Sequence, residues 1–162
     1  MSHSYAKLKT WHFSGSVTIK NYGNANRSHQ QRYCYDSINF DSSWELAFYI
    51  YHKSLNHSIK HEPIELRYVY NDVEHSYYPD FEVDGKLYEI KGDQFFKDDG
   101  TMQNPFDHKT DALFEAKHQC GLQNGVIFLR NNEIQPYLKY VYDTFGNGFL
   151  EKFKVNISKN KN

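Results

Sequence analysis

An α/β fold is what this chain predicts, and three observations predict it. Apolar residues recur at helical spacing in three segments, alternate as in strands between them, and an Asp84-Gly85 pair separates two alternating runs as a hairpin turn. From Ser42 onward the order is helix, strand, strand, strand, helix, strand, helix.

Residues 1–31 read as a polar, loosely patterned arm, with a short strand at Ser16–Lys20 and a turn at Asn21–Asn26. Arg32–Phe40 (RYCYDSINF) alternates well enough for a strand or hairpin. Ser-Ser-Trp-Glu fits a capping box, with Ser42 as N-cap and Glu45 at the third position. Trp44, Phe48, Tyr51 and Leu55 then form an apolar helical stripe. Asn56–Pro63 reads as a loop and Ile64–Tyr70 as a strand. Hairpin strands follow at about His75–Val83 and Lys86–Gly92, then a polar loop over Asp93–Asp107. Asp107 or Thr110 can cap a second helix running to about Gln123, which Asn124-Gly125 ends. Val126–Arg130 is a short buried strand, Glu133–Phe145 a third helix with Pro136 in its first turn, and Phe149–Ile157 a final strand.

With 162 residues the chain has the length of one domain: an extension over 1–41, a core over 42–130, and a C-terminal helix and tail over 131–162. Aromatics reach 17%, so the core is expected to be rich in Tyr and Phe. No apolar stretch approaches the roughly 18 residues of a membrane span, and the N-terminus has no apolar signal core, so a cytoplasmic protein without a membrane partner is expected. Cys34 and Cys120 are too few and too far apart for a zinc site or a disulfide framework. The net charge of −1 does not advertise a nucleic-acid binder, yet residues 1–40 set Lys7, Lys9, Lys20, Arg27 and Arg32 against Asp36 alone. Cations interleaved with Tyr, Trp and Phe suit contact with phosphates and stacking on bases, and an ordinary packed hairpin is the competing reading.

The chemistry concentrates in His75–Gln94 (HSYYPDFEVDGKLYEIKGDQ). A two-residue turn at Asp84-Gly85 sets Val83 opposite Lys86, Phe81 opposite Tyr88, Asp80 opposite Glu89 and Tyr78 opposite Lys91. Pro79, Phe81, Val83, Tyr88 and Ile90 then share an apolar face; Tyr78, Asp80, Glu82, Leu87, Glu89 and Lys91 share the other. Two carboxylates in register, with Cβ atoms about 4.5–5.5 Å apart, repel unless a cation sits between them. Mg²⁺ suits that place, since it binds one or two carboxylates and keeps several waters. A lysine beside it can stabilise charge that grows on an attacked phosphate. An exposed charged hairpin with no chemistry is the competing reading.

Pro79-Asp80, eight intervening residues, then Glu89-Ile90-Lys91 resembles the signature of the PD-(D/E)XK nuclease superfamily, which includes restriction enzymes, transposon-end nucleases and junction resolvases. The order over residues 42–130 is similar to the αβββαβ core of that superfamily, a mixed central sheet flanked by helices, here with an N-terminal arm. The Pro-Asp then falls on the second core strand and Glu-x-Lys on the third.

The resemblance implies Asp80 and Glu89 as metal ligands, the Ile90 carbonyl as a third, and Lys91 beside the attacking water. Glu45 corresponds to an acidic residue on the first helix that binds metal directly or through water; its other reading is the capping box alone. Gln94 matches a polar residue that follows the lysine in some members, and solvent exposure is its other reading. Lys109 and Lys117 on the second helix, with Lys20, Arg27 and Arg32 in the basic arm, are candidate DNA contacts; a solvated helix face is the other reading of the two helix lysines. The implied activity is a Mg²⁺-dependent endonuclease, with Mn²⁺ as substitute, hydrolysing DNA phosphodiesters. It suits a small phage, plasmid or mobile-element enzyme as well as a repair or junction-processing nuclease, and a homodimer is an allowed state. The alternative is a nucleic-acid-binding or assembly module that keeps the fold without cleavage, against which the intact Asp80, Glu89 and Lys91 argue. An enzyme acting on a small phosphorylated ligand would want a glycine-rich phosphate loop, which the sequence lacks.

Overall fold

Two-residue turns with paired positive φ angles punctuate the chain. Asp84 and Gly85 take φ of 49° and 84°, the type I′ signature whose twist matches that of the flanking strands. The same pattern recurs without glycine at Asp36-Ser37 (57° and 62°) and Asn71-Asp72 (55° and 60°). Short polar side chains tolerate this left-handed region because they bond to their own backbone.

The computed structural model describes residues 12–13 and 31–156. In chain order the elements are β1 (His12–Phe13), β2 (Gln31–Tyr35), β3 (Ile38–Phe40), α1 (Ser43–Ser54), β4 (Ile59–His61), β5 (Leu66–Tyr70), β6 (Val73–Tyr77), β7 (Phe81–Val83), β8 (Lys86–Ile90), α2 (Asp111–Gln123), β9 (Ile127–Leu129), α3 (Asn131–Phe145) and β10 (Lys154–Asn156). The class is α/β, with three helices and three small sheets among the described residues. The strand expected at Ser16–Lys20 and the turn at Asn21–Asn26 lie outside them. No described helix is long and apolar enough to cross a membrane. The described residues form two compact units, one of 12–13 with 58–132 and one of 31–57 with 133–156.

In the second unit β10, β2 and β3 form an antiparallel sheet, and Ser42 starts α1 by accepting the Glu45 N–H at 3.2 Å. Phe40, Leu46, Phe48, Ile134, Val141 and Leu150 are at most 1% exposed and form its core, each worth roughly 1.5–3 kcal/mol when fully buried. α3 begins at Asn131, earlier than the sequence suggests, so Pro136 sits inside the helix rather than in its first turn. Its missing N–H forgoes one bond of the ladder. The strand expected from Phe149 is a 3₁₀ turn over Leu150–Phe153 followed by β10.

The first unit holds two sheets, β1-β5-β6 and β4-β7-β8-β9. In the second of these, β4, β7 and β8 run antiparallel and β9 lies parallel to β8. A parallel neighbour requires a crossover, which α2 supplies. The strand expected over His75–Val83 is divided between the sheets: β6 pairs with β5, Tyr78-Pro79-Asp80 breaks the extension, and β7 pairs with β4 and β8. Proline cannot donate to a ladder, so the break falls where a strand could not continue as a central one. Consequently Ile59–His61, read from sequence as loop, takes the first place in the four-stranded sheet, while Leu66–Tyr70 serves the other. The segment 93–110 is less irregular than its composition suggests. It contains 3₁₀ turns at Asp93–Phe95 and His108–Thr110 and a bridge between Phe96 and Met102. Both cysteines are free thiols, Cys34 exposed and Cys120 buried.

Candidate active site

The site grows from the β7–β8 hairpin. Its register is Val83↔Lys86, Glu82↔Leu87 and Phe81↔Tyr88, so one further step sets Asp80 against Glu89. The ladder stops before that step, because Pro79-Asp80 has already left the strand. Asp80 compensates through its side chain, whose Oδ2 accepts the Ile90 N–H at 2.8 Å, while its carbonyl accepts the Glu62 N–H at 2.8 Å. In an extended strand the N–H and C=O of one residue leave on the same edge. The Ile90 carbonyl therefore faces the edge that carries Asp80.

Alternation holds, yet neither face of the hairpin is open. Phe81, Val83 and Ile90 are buried as expected, and on the opposite face so are Leu87 (3%) and Glu89 (6%). A carboxylate this deep needs partners. Tyr77, at the end of β6, donates its hydroxyl to Glu89 Oε1 at 3.1 Å. Lys117 of α2 lies with its Nζ 4.8 Å from the Tyr77 ring centroid. Asp80 and Lys91 are half-buried at the rim. The Lys91 ammonium sits 4.4 Å from the Phe95 ring and 5.9 Å from the Phe114 ring. Among the described residues neither Lys91 nor Lys117 closes an ion pair with a carboxylate.

Electrostatics tie these groups together. Burial, reinforced by the charges of Glu89 and Asp80, pushes the Tyr77 hydroxyl well above its usual range. Tyr77 therefore stays a donor that holds Glu89 in place. Burial also draws the Lys117 ammonium below the ordinary lysine value. The pull of Glu89 and Asp80 opposes that shift, and repulsion from Lys91 adds to it. Two carboxylates and two cations thus feel one another across one site. No family model, curated protein or solved structure matches this chain. What the site can do rests on its own chemistry.

The remaining sequence candidates stand on other elements. Glu45 belongs to the second unit, 8% exposed, where the Ser42 hydroxyl donates to its Oε2 at 3.0 Å in addition to capping its N–H. Arg32 is also in that unit, with its Nε 3.6 Å from Asp41. Gln94 is exposed in the 3₁₀ turn after Gly92, and its carbonyl accepts from Gln103 at 3.1 Å. Lys109 is exposed in the turn before α2. Tyr78, expected to face Lys91, is 50% exposed and donates to Glu65 at 3.2 Å. Lys20 and Arg27 lie outside the described residues. Lys117, a candidate DNA contact from the sequence, instead stands beside Tyr77, a residue the hairpin pattern does not mark. A signal for Lys117 exists, since Leu113, Ala116, Lys117, Cys120 and Gly121 follow the i, i+3, i+4, i+7, i+8 spacing of a core-facing stripe. A lysine inside such a stripe is out of place unless something there needs its charge.

Proposed function

We propose that this chain is a metal-dependent endonuclease that hydrolyses DNA phosphodiester bonds with a PD-(D/E)XK-type site. The observation that carries the reading is the meeting of the Asp80 and Glu89 carboxylates with Lys91 and Lys117, which close no ion pair among the described residues. The four-stranded sheet β4-β7-β8-β9 with its α2 crossover supports the αβββαβ order.

The donor set fits Mg²⁺ or Mn²⁺. The described residues offer no cluster of three or more His, Cys, Asp or Glu side chains, but a hard cation needs only one or two carboxylates when it keeps its waters. Asp80, Glu89 and the Ile90 carbonyl would hold it. When bound, such a cation polarises the phosphoryl group and lowers the pKa of a coordinated water. The protein's own groups do the rest. Tyr77 fixes the Glu89 rotamer, the Ile90 N–H fixes Asp80, and Lys91 and Lys117 present positive charge to the phosphate as negative charge accumulates during in-line attack. Burial keeps Glu89 in a low-dielectric setting, with Lys117 half-buried near it, where those charges act strongly.

The test is incubation with supercoiled, linear and branched DNA in Mg²⁺, Mn²⁺ or chelator. Cleavage that needs the metal and is lost in Asp80→Asn is expected. DNA binding without cleavage under every condition would make the chain a binding module instead.

A further inference from the structure

Phe106 is the most exposed large apolar side chain among the described residues, at 73% against 50% for Tyr78. It is not a loose end. Asn104, 6% exposed, organises the turn beneath it. The Asn104 side chain accepts the Phe106 N–H at 3.0 Å and donates to Thr110 Oγ1 at 2.9 Å. The Asn104 N–H is held by Asp111 at 2.8 Å, and its carbonyl takes the Asp107 N–H at 3.2 Å. A buried asparagine, bonded through its backbone and its side chain, thus holds the turn that presents the phenyl ring to solvent.

The ring is also placed. Its centroid lies 6.1 Å from that of Phe95, edge to face, and Phe95 carries the Lys91 ammonium 4.4 Å from its centre. Phe114 lies parallel to Phe95 within 4°, 6.2 Å away. One ring-to-ring step and one ring-to-cation step therefore connect Phe106 to the lysine proposed to meet the phosphate. We propose that Phe106 is a stacking post for an unpaired nucleobase next to the scissile phosphate, so that the preferred substrate is DNA with a single-stranded or branched segment there. The inference rests on the nuclease reading and extends it to substrate class. Single-strand sites pair a cation for the backbone with an aromatic face for the base, and every base has a π-face to offer. The residues that follow the ring in the chain, Asp107, His108 and Lys109, are polar, so what Phe106 offers beyond Phe95 is one flat ring, which suits a base.

The test measures binding of labelled oligothymidylate and of a blunt duplex of equal length, with Ca²⁺ in place of Mg²⁺, to wild type, Phe106→Ala and Phe106→Trp. Phe106→Ala should lose about 5–150-fold in single-strand affinity, the range for one stacked base, with duplex affinity and melting temperature unchanged. Phe106→Trp should keep the affinity, and its indole emission should be quenched by the oligonucleotide. Wild type that binds and cuts DNA while Phe106→Ala matches it on single strands overturns this inference and leaves the nuclease reading standing. Equal losses on both DNA forms overturn the preference for unpaired bases. A changed oligomeric state with unchanged DNA affinity makes Phe106 a protein contact and overturns it as well. Wild type that neither binds nor cuts DNA removes the nuclease reading itself.

Discussion

Lys117→Met separates a functional lysine from a structural one more sharply than any other single change. Methionine keeps the length of the stem and remains a good neighbour for the Tyr77 ring, so the cavity stays filled and only the charge disappears. The loss includes a cation–π contact at 4.8 Å, worth about 0.5–2 kcal/mol, and the attraction of Glu89 and Asp80. The gain is relief from burying an ammonium. Because the Lys117 pKa is depressed in the folded protein, burial together with repulsion from Lys91 outweighs the attractive charges, and holding that side chain protonated works against the fold. Lys117→Met should therefore be at least as stable as wild type. A gain of about 1 kcal/mol would raise the melting temperature by about 2–4 °C at this chain length. In wild type the penalty should fade as pH rises toward the unfolded lysine value of 10.5, closing the gap between the two proteins. Cleavage of plasmid DNA with Mg²⁺ should drop about 10²–10³-fold, the scale of one lost charge-stabilising donor. More stable and less active is the combination expected of a residue kept for chemistry. A variant that melts several degrees lower, or nicks plasmid at the wild-type rate, would refute this reasoning.

Three further outcomes follow from the same geometry. Lys91→Ala should lose about 10²–10³-fold in Mg²⁺-dependent cleavage with near-normal melting, since the ammonium rests on the Phe95 and Phe114 rings rather than in the core; wild-type turnover in a plasmid assay would remove its assigned role. Gly121→Ala should destabilise by about 1–3 kcal/mol in urea unfolding, because a Cβ there lies 3.0 Å from Phe128 and 3.2 Å from Tyr77, and the displaced tyrosine should also weaken cleavage; unchanged unfolding would mean that both rings yield freely. Burial works to raise the Glu115 pKa, but hydrogen bonds from Gln119, the Met102 N–H and His118 outweigh it and hold the carboxyl below its ordinary 4.5. Its stabilisation is therefore fully present above that value and lost as pH falls through the folded pKa, so Glu115→Gln should lose less stability than wild type between neutral pH and pH about 3; parallel curves from denaturant titration would contradict this.

The sequence was most legible where local chemistry leaves one solution. Asp84-Gly85 specifies a turn whose two positive φ angles fix the hairpin register from Val83↔Lys86 to Phe81↔Tyr88, one step short of Asp80 and Glu89. Ser42 announces its helix because an N–H there needs an acceptor. Legibility failed where tertiary pairing decides. Ile59–His61 is too short and polar to declare itself a strand until β7 lies beside it. The division at Pro79 reads as one long alternating run because the alternation continues across the break. Lys117 is legible as a candidate DNA contact, but its place beside the carboxylates shows only in the stripe it shares with Leu113, Ala116 and Cys120, because a lysine on a helix usually faces water. Phe106 had no periodicity to betray it, and its prominence comes from the hydrogen bonds of Asn104.

The pairing of β10 with β2 has a consequence for the order in which the molecule can assemble. Lys154–Asn156 closes against Gln31–Tyr35, and the whole of residues 58–132, which make up most of the first unit, is threaded between them. During synthesis the first unit has its complete strand set before the second can finish its own. Until Lys154–Asn156 emerges, β2 is paired only on its β3 side and leaves a row of backbone donors and acceptors open, which is the kind of edge that recruits other strands. Late closure of so long a loop costs little more entropy than a shorter one. The exposure is therefore one of time rather than of final stability, and a truncation that removes only β10 should show itself first as aggregation during expression.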